Sequence, residues 1–95
     1  MNFIQIVGRI VTPPFREVKI GNESYSQMIV EVQQNFKAFE GSVRKDSFKV
    51  SLWRGMSDHI LQACSQPGLV AIKGRVMVIE GEYSIIAEHV EVLNP

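Results

Sequence analysis

The feature that most limits how this 95-residue chain can fold is a period of two. From Asp46 to Arg54 it reads Asp-Ser-Phe-Lys-Val-Ser-Leu-Trp-Arg, with Phe48, Val50 and Leu52 on one side and Ser47, Lys49, Ser51 and Trp53 on the other. Successive side chains of an extended strand point to opposite faces, so the alternation predicts a strand with one buried face. The second face is polar and cationic, yet it carries the only tryptophan in the sequence. A flat ring beside Lys49 and Arg54 suits the stacking of unpaired bases, roughly 1–3 kcal/mol per base, with the cations holding phosphates. A tryptophan packed into a subunit interface satisfies the same pattern.

The period recurs along the chain. Over Asn2–Val11, Ile4, Ile6 and Ile10 alternate with Phe3, Gln5, Val7, Arg9 and Val11. That second face is too apolar to be left wholly in water and argues for a covering partner such as another subunit. Gly8 predicts a bulge or a close backbone approach. Thr12-Pro13-Pro14 is expected to end the strand, because proline cannot donate to a ladder. Glu17–Ile20 and Ser24–Phe36 flank a compact turn at Gly21-Asn22-Glu23, and the second run is long enough to serve two sheets if it curves. Lys37–Lys45, centred on Glu40-Gly41-Ser42, reads as an exposed loop.

Ser57–Cys64 is the one helical segment expected. Ser57 would cap it, Ile60, Leu61 and Cys64 would form its apolar stripe, and Pro67-Gly68 would stop it. Leu69–Ile79 reads as a strand with Val70, Ile72, Val76 and Val78 on one face and a second bulge at Gly74. Glu80-Gly81-Glu82 turns the chain into a last strand, Tyr83–Leu93. Three strands, a short helix and two strands, with glycines inside strands one and four, predict an all-β chain. The expected architecture is a five-stranded oligonucleotide-binding (OB) barrel with one short helix between strands 3 and 4. Periodicity alone is also met by other small β-barrels.

The length suits a single domain over 1–95, and no internal repeat or linker interrupts it. Apolar runs reach four residues, as in Leu69–Ile72, which leaves no membrane span or signal segment and makes the cytoplasm the default location. The lone cysteine, Cys64, excludes an intrachain disulfide framework and reads as a packed small hydrophobe. His59 and His89 lack ligand-spaced neighbours, and no catalytic constellation, phosphate loop or cofactor motif appears, so a non-enzyme without cofactor or metal is expected. Net charge is zero, which excludes a strongly basic polyanion binder by totals. Its distribution is uneven, however. Residues 36–54 hold Lys37, Arg44, Lys45, Lys49 and Arg54 against Glu40 and Asp46, whereas residues 80–95 hold Glu80, Glu82, Glu88 and Glu91 and no lysine or arginine. Local fields, not totals, steer a polyanion.

Three segments carry a family likeness. Asn2-Phe3-Ile4-Gln5-Ile6-Val7-Gly8-Arg9-Ile10 resembles the opening strand of bacterial single-stranded DNA-binding proteins. So do Phe48-Lys49-Val50-Ser51-Leu52-Trp53 ahead of the helix, and Gly68-Leu69-Val70-Ala71-Ile72-Lys73-Gly74-Arg75 after it. The resemblance runs in order over nearly the whole chain. It implies an OB-fold barrel that forms homo-oligomers, dimer or tetramer, and wraps single strands on aromatic and basic side chains without chemical turnover. The short dimeric primosomal relatives are similar in length.

By this resemblance Trp53 falls at a stacking aromatic late in strand three, Phe36 at another ending strand two, with Lys37 following, and Lys49 at a frequent base. Straight alternation instead puts Phe36 on the core face with Val30 and Val32; facing outward requires a kink near Gln33–Asn35. The chain also departs from the pattern. Ser47 stands where many members have a second tryptophan. The hairpin between strands four and five is reduced to Glu80-Gly81-Glu82, with Tyr83 as its nearby aromatic. The sequence stops at Asn94-Pro95, so the acidic tail that recruits replication and repair partners is expected to be missing.

Two functions follow. The first is sequence-independent binding of single-stranded DNA in replication, recombination or repair. Phe36 and Trp53 would stack bases, Phe39 would fold over them or tuck into the barrel mouth, and Lys37, Arg44, Lys45, Lys49 and Arg54 would neutralise phosphates. The second is a primosome-like module that contacts replication proteins, with DNA binding weak or absent. Single-stranded RNA is a subsidiary ligand, since stacking does not identify the sugar.

Overall fold

The chain runs β1 (Ile4–Ile20), β2 (Glu23–Lys37), β3 (Val43–Leu52), α1 (Arg54–Ala63), β4 (Leu69–Ile79) and β5 (Glu82–Asn94). The structure, a computed structural model, describes residues 1–37, 43–63 and 68–94; the side chains at 15, 16, 18, 35–37, 43, 54, 63 and 94 lie outside the description. Antiparallel ladders join β1 to β2, β2 to β3, β4 to β5 and β1 to β4. A short parallel contact between β3 and β5 closes the barrel in the order β1-β2-β3-β5-β4. This is the expected OB architecture, with its helix between β3 and β4.

The first strand does not stop at the prolines. β1 continues to Ile20 and absorbs the separate Glu17–Ile20 run, because the ladder to β2 passes from Thr12↔Ile29 to Arg16↔Gln27 and leaves Pro13 and Pro14 in the gap. A residue without an N–H is tolerated where the ladder is already interrupted. The interruption also lets one strand serve two neighbours: Ile4–Arg9 pair with β4, and Arg9 onward pairs with β2. Gly8 and Gly74 mark close approaches. A Cβ on Gly74 would come within 2.1 Å of the Ile86 carbonyl oxygen, and one on Gly8 within 2.5 Å of that of Glu31.

The core gathers Ile10, Met28, Val30, Val50, Leu52, Ile60, Val70, Ile72, Ile85 and Ala87, with Ile4, Ile6 and Phe48 packed against it. Full burial of such a side chain contributes roughly 1.5–3 kcal/mol. Val50 and Leu52 therefore hold β3 in place, as the alternation predicted. Ser51 departs from it: it is fully buried, because β5 crosses β3 at Val50↔Ile85 and Ser51↔Ile86 and is covered on both faces there. Its hydroxyl lies 3.5 Å from that of Ser84, which is also buried.

Three further expectations are corrected. Val78 is 60% exposed, not core. β1 pairs with β4 over Leu69–Gly74 and β3 with β5 at Ile85–Ile86, so residues 75–84 form a two-stranded ribbon that runs past both neighbouring ladders. The helix begins at Arg54 and not at Ser57, whose N–H donates to the Trp53 carbonyl (3.0 Å) and closes the first turn. The buried side of α1 is Ser57 and Ile60 with Met56 partly covered, and Leu61 faces solvent. Cys64 lies outside the described residues. The helix packs on β1, β2 and β5, and no helix among the described residues is long and apolar enough to cross a membrane.

Candidate nucleic-acid interface

The outward residues of β3 meet those of β2 in register, with Lys45 opposite Gln33, Ser47 opposite Glu31 and Lys49 opposite Ile29. Beyond Ser26↔Leu52 the strand hands over to α1 at Trp53. Its carbonyl is tied into the helix, so a buried strand and a packed helix fix the backbone that carries the ring. The ring itself is 57% exposed. The next residue along β2 is Tyr25, half-buried, which straight alternation places on the outward side with Gln27 and Ile29.

The cations of β3 are partly engaged with the protein's own acids. Lys45 Nζ lies 3.6 Å from Glu31 Oε1, and Lys49 Nζ forms an ion pair with Glu82 Oε2 across the gap to β5. Gln34 Nε2 donates to Asp46 Oδ2 at 2.9 Å. Arg44 and Ser47 are exposed. Between the middle of β3 and the β4–β5 ribbon lies a cleft of about 490 Å³, lined by Phe48, Lys49, Glu82, Tyr83, Ser84 and Ile85 among others. It exists because β3 and β5 share two register pairs before diverging. Tyr83, 80% exposed, stands at its edge.

Of the residues singled out from the sequence, the structure brings Arg44, Lys45, Lys49 and Trp53 onto one strand and its end, the first three spread along β3. Phe39 lies outside the described residues, as do the side chains of Phe36, Lys37 and Arg54. A register irregularity lies where an outward Phe36 would require a kink or bulge. The β2–β3 ladder shifts between Gln33 and Lys37, where residues 34–36 face Arg44 alone. Sequence reasoning noted Tyr83 as a nearby aromatic but did not place it in the site, and it passed over Tyr25. The parity of β2 would have found Tyr25; the cleft depends on where β3 and β5 part, which no local pattern states. Among the described residues no group of three or more His, Cys, Asp or Glu could hold a metal ion.

A second surface has a different character. Phe3, Val7 and Val11 are exposed along β1, at 69%, 50% and 45%, and form the apolar strip that alternation anticipated.

Comparisons with known proteins agree with this fold. The chain is similar to single-stranded DNA-binding protein B of Bacillus subtilis (strain 168), 24% identical over 75 residues that cover 79% of this chain and 66% of that protein, just under two thirds of its length. Its fold matches the Plasmodium falciparum SSB solved in complex with ssDNA, with a TM-score of 0.72 at 13% identity over 99% of this chain and 96% of that one. It also matches the dimeric N-terminal domain of PriB from Thermoanaerobacter tencongensis, with a TM-score of 0.61 at 15% identity over 99% and 98% of the two chains. Residues 1–93 fit the model of the single-strand binding protein family, and the chain belongs to that family.

Proposed function

We propose that this protein binds single-stranded DNA without sequence preference, along the outward side of β3 and the adjoining cleft. The observation that carries the reading is Trp53, 57% exposed although its backbone is fixed between a buried strand and a packed helix. A tryptophan that served the core of this barrel would be buried; one left open on a fixed backbone offers its face for stacking. Lys45 and Lys49 on the same strand, with Arg44 beside them, supply the phosphate contacts, and Lys37 and Arg54 flank them in sequence. The match to a DNA-binding relative and to a barrel solved with ssDNA supports the ligand class, and a role in replication, recombination or repair follows from it.

The test is the fluorescence of Trp53 during titration with oligothymidylate across a range of salt. A single tryptophan makes the signal local. Quenching that weakens with salt is expected. If all five cations engage phosphates, log affinity falls against log salt with a slope approaching about −3.5, at roughly 0.7 per contact. Unchanged fluorescence, with no binding by filter retention, would overturn the reading.

The apolar strip Phe3–Val7–Val11 supports a second element of the proposal, that two copies of the chain associate through β1. The solved PriB domain it resembles is dimeric. Sedimentation equilibrium should give at least twice the monomer mass, and Val7→Lys should reduce it.

A further inference from the structure

We infer that the β4–β5 ribbon competes with DNA for Lys49: the Glu82 carboxylate pairs with this lysine and keeps it partly out of phosphate contact when DNA enters the cleft. The inference rests on single-strand binding and adds a residue that sets its strength from the opposing side.

Four observations lead to it. The Lys49–Glu82 ion pair joins residues 33 apart, from strands whose short parallel ladder begins only beyond them at Val50↔Ile85, so it bridges the cleft instead of being a register pair of a sheet. Both side chains keep solvent access, 42% for Lys49 and 67% for Glu82, and an exposed ion pair of this kind stabilises by roughly 0–1 kcal/mol, little enough for a phosphate to exchange with. The backbone that carries the carboxylate is also fixed. Glu80 and Gly81 both have positive φ, 52° and 79°, and Ile79 pairs with Glu82, which makes a two-residue turn whose backbone fixes the residue after it. Finally, the cleft that Lys49 and Glu82 share is about 490 Å³, with Tyr83 exposed at its edge, room enough for a nucleotide between β3 and the ribbon.

A chain that keeps its cation paired binds a polyanion less tightly, and less steeply with salt, than the same surface with the cation released. Three variants read this out: Glu82→Gln, Glu80→Gln and Lys49→Gln, with the Glu82→Gln/Lys49→Gln double variant, each titrated with oligothymidylate over a salt series. Glu82→Gln is expected to bind about fivefold tighter at low salt, which is about 1 kcal/mol at 1.4 kcal/mol per decade. Its salt slope should steepen by about 0.7, one further phosphate contact. Lys49→Gln should weaken binding in both backgrounds, but more in the Glu82→Gln background, where it removes the whole gain, than in wild type, where Glu82 already holds part of the lysine's charge. Glu80→Gln changes the charge equally at the neighbouring turn position and should give a smaller gain.

The inference falls if Glu82→Gln binds like wild type, if Glu80→Gln matches it, or if Lys49→Gln costs the same in both backgrounds. Those results leave single-strand binding standing. If neither wild type nor Glu82→Gln binds, single-strand binding itself fails and the competition with it. Binding by Glu82→Gln alone would support the competition in its strongest form. Thermal midpoints of the exposed-site variants, expected within a few degrees of wild type, separate these results from misfolding.

Discussion

Val50 and Leu52 on one side of β3, and Lys49 and Trp53 on the other, lie a residue apart and answer to different constraints. The inner pair is fully buried in the barrel, where shape and volume decide what is allowed. The outer pair sits at the surface, where packing hardly restricts the choice and charge and ring geometry carry the meaning. Exposure tells the two apart better than residue type does, since the largest side chain of the strand segment is on the open side. The difference teaches that stability and binding should separate on substitution, and the boundary between the two faces can be located by experiment.

The largest effect should come from the inner face. Leu52→Ala removes a fully buried side chain from the centre of the core. A loss of about 2–5 kcal/mol in unfolding free energy is expected from urea titration. Affinity for oligothymidylate per folded molecule should stay close to wild type. A loss below about 1 kcal/mol would mean that this face is not the core.

Trp53→Ala should do the reverse. The ring is more than half exposed, so the unfolding midpoint should move little, while binding loses about 1–3 kcal/mol, read by anisotropy of a labelled oligonucleotide because the intrinsic signal is gone. Equal damage to folding and binding would make the ring structural and erase the distinction between the faces.

Ser51 is where the comparison can be sharpened. It belongs to the outer set by alternation yet is buried beside Ser84, whose hydroxyl also lies 3.4 Å from the Lys49 carbonyl. Ser51→Ala should cost about 0.5–1.5 kcal/mol of stability and leave the salt slope of binding unchanged. A changed slope with unchanged stability would place Ser51 in the interface instead.

These residues also show what the sequence made legible. The core face of β3, the glycine close approaches and the order of elements follow from local chemistry: period two, a missing Cβ, a turn pair. The Pro13-Pro14 run misled because it marks an interrupted ladder as readily as a strand end, and only the partner strand decides which. Ser57 resembled a cap by type, but the helix starts where β3 runs into it. Trp53 and Lys49 were readable as outward-facing. That Lys49 is held by Glu82 was not, since the pair joins two strands whose divergence is a property of barrel closure.

The smallest effect should come from Lys45, which shares the outer face of β3 with Lys49. Its ammonium is 3.6 Å from Glu31 and both side chains reach solvent, so the ion pair contributes at most about 1 kcal/mol to folding. Lys45→Ala should therefore leave the unfolding midpoint nearly in place. If Lys45 leaves Glu31 to hold a phosphate, the slope of log affinity against log salt becomes shallower by about 0.7, and the affinity difference from wild type shrinks as salt is raised. If it stays with Glu31 throughout, the slope is unchanged. Because Glu31 belongs to β2 and Glu82 to the ribbon, comparing Lys45→Ala with Lys49→Gln under the same salt series asks which acid yields its lysine to DNA more readily. The Lys49–Glu82 pair joins strands that share only two register pairs, Val50↔Ile85 and Ser51↔Ile86, whereas Glu31 lies two residues along β2 from Gln33, the partner of Lys45 in a long ladder. Lys45 should accordingly contribute less of the slope than Lys49 does once Glu82 is neutralised.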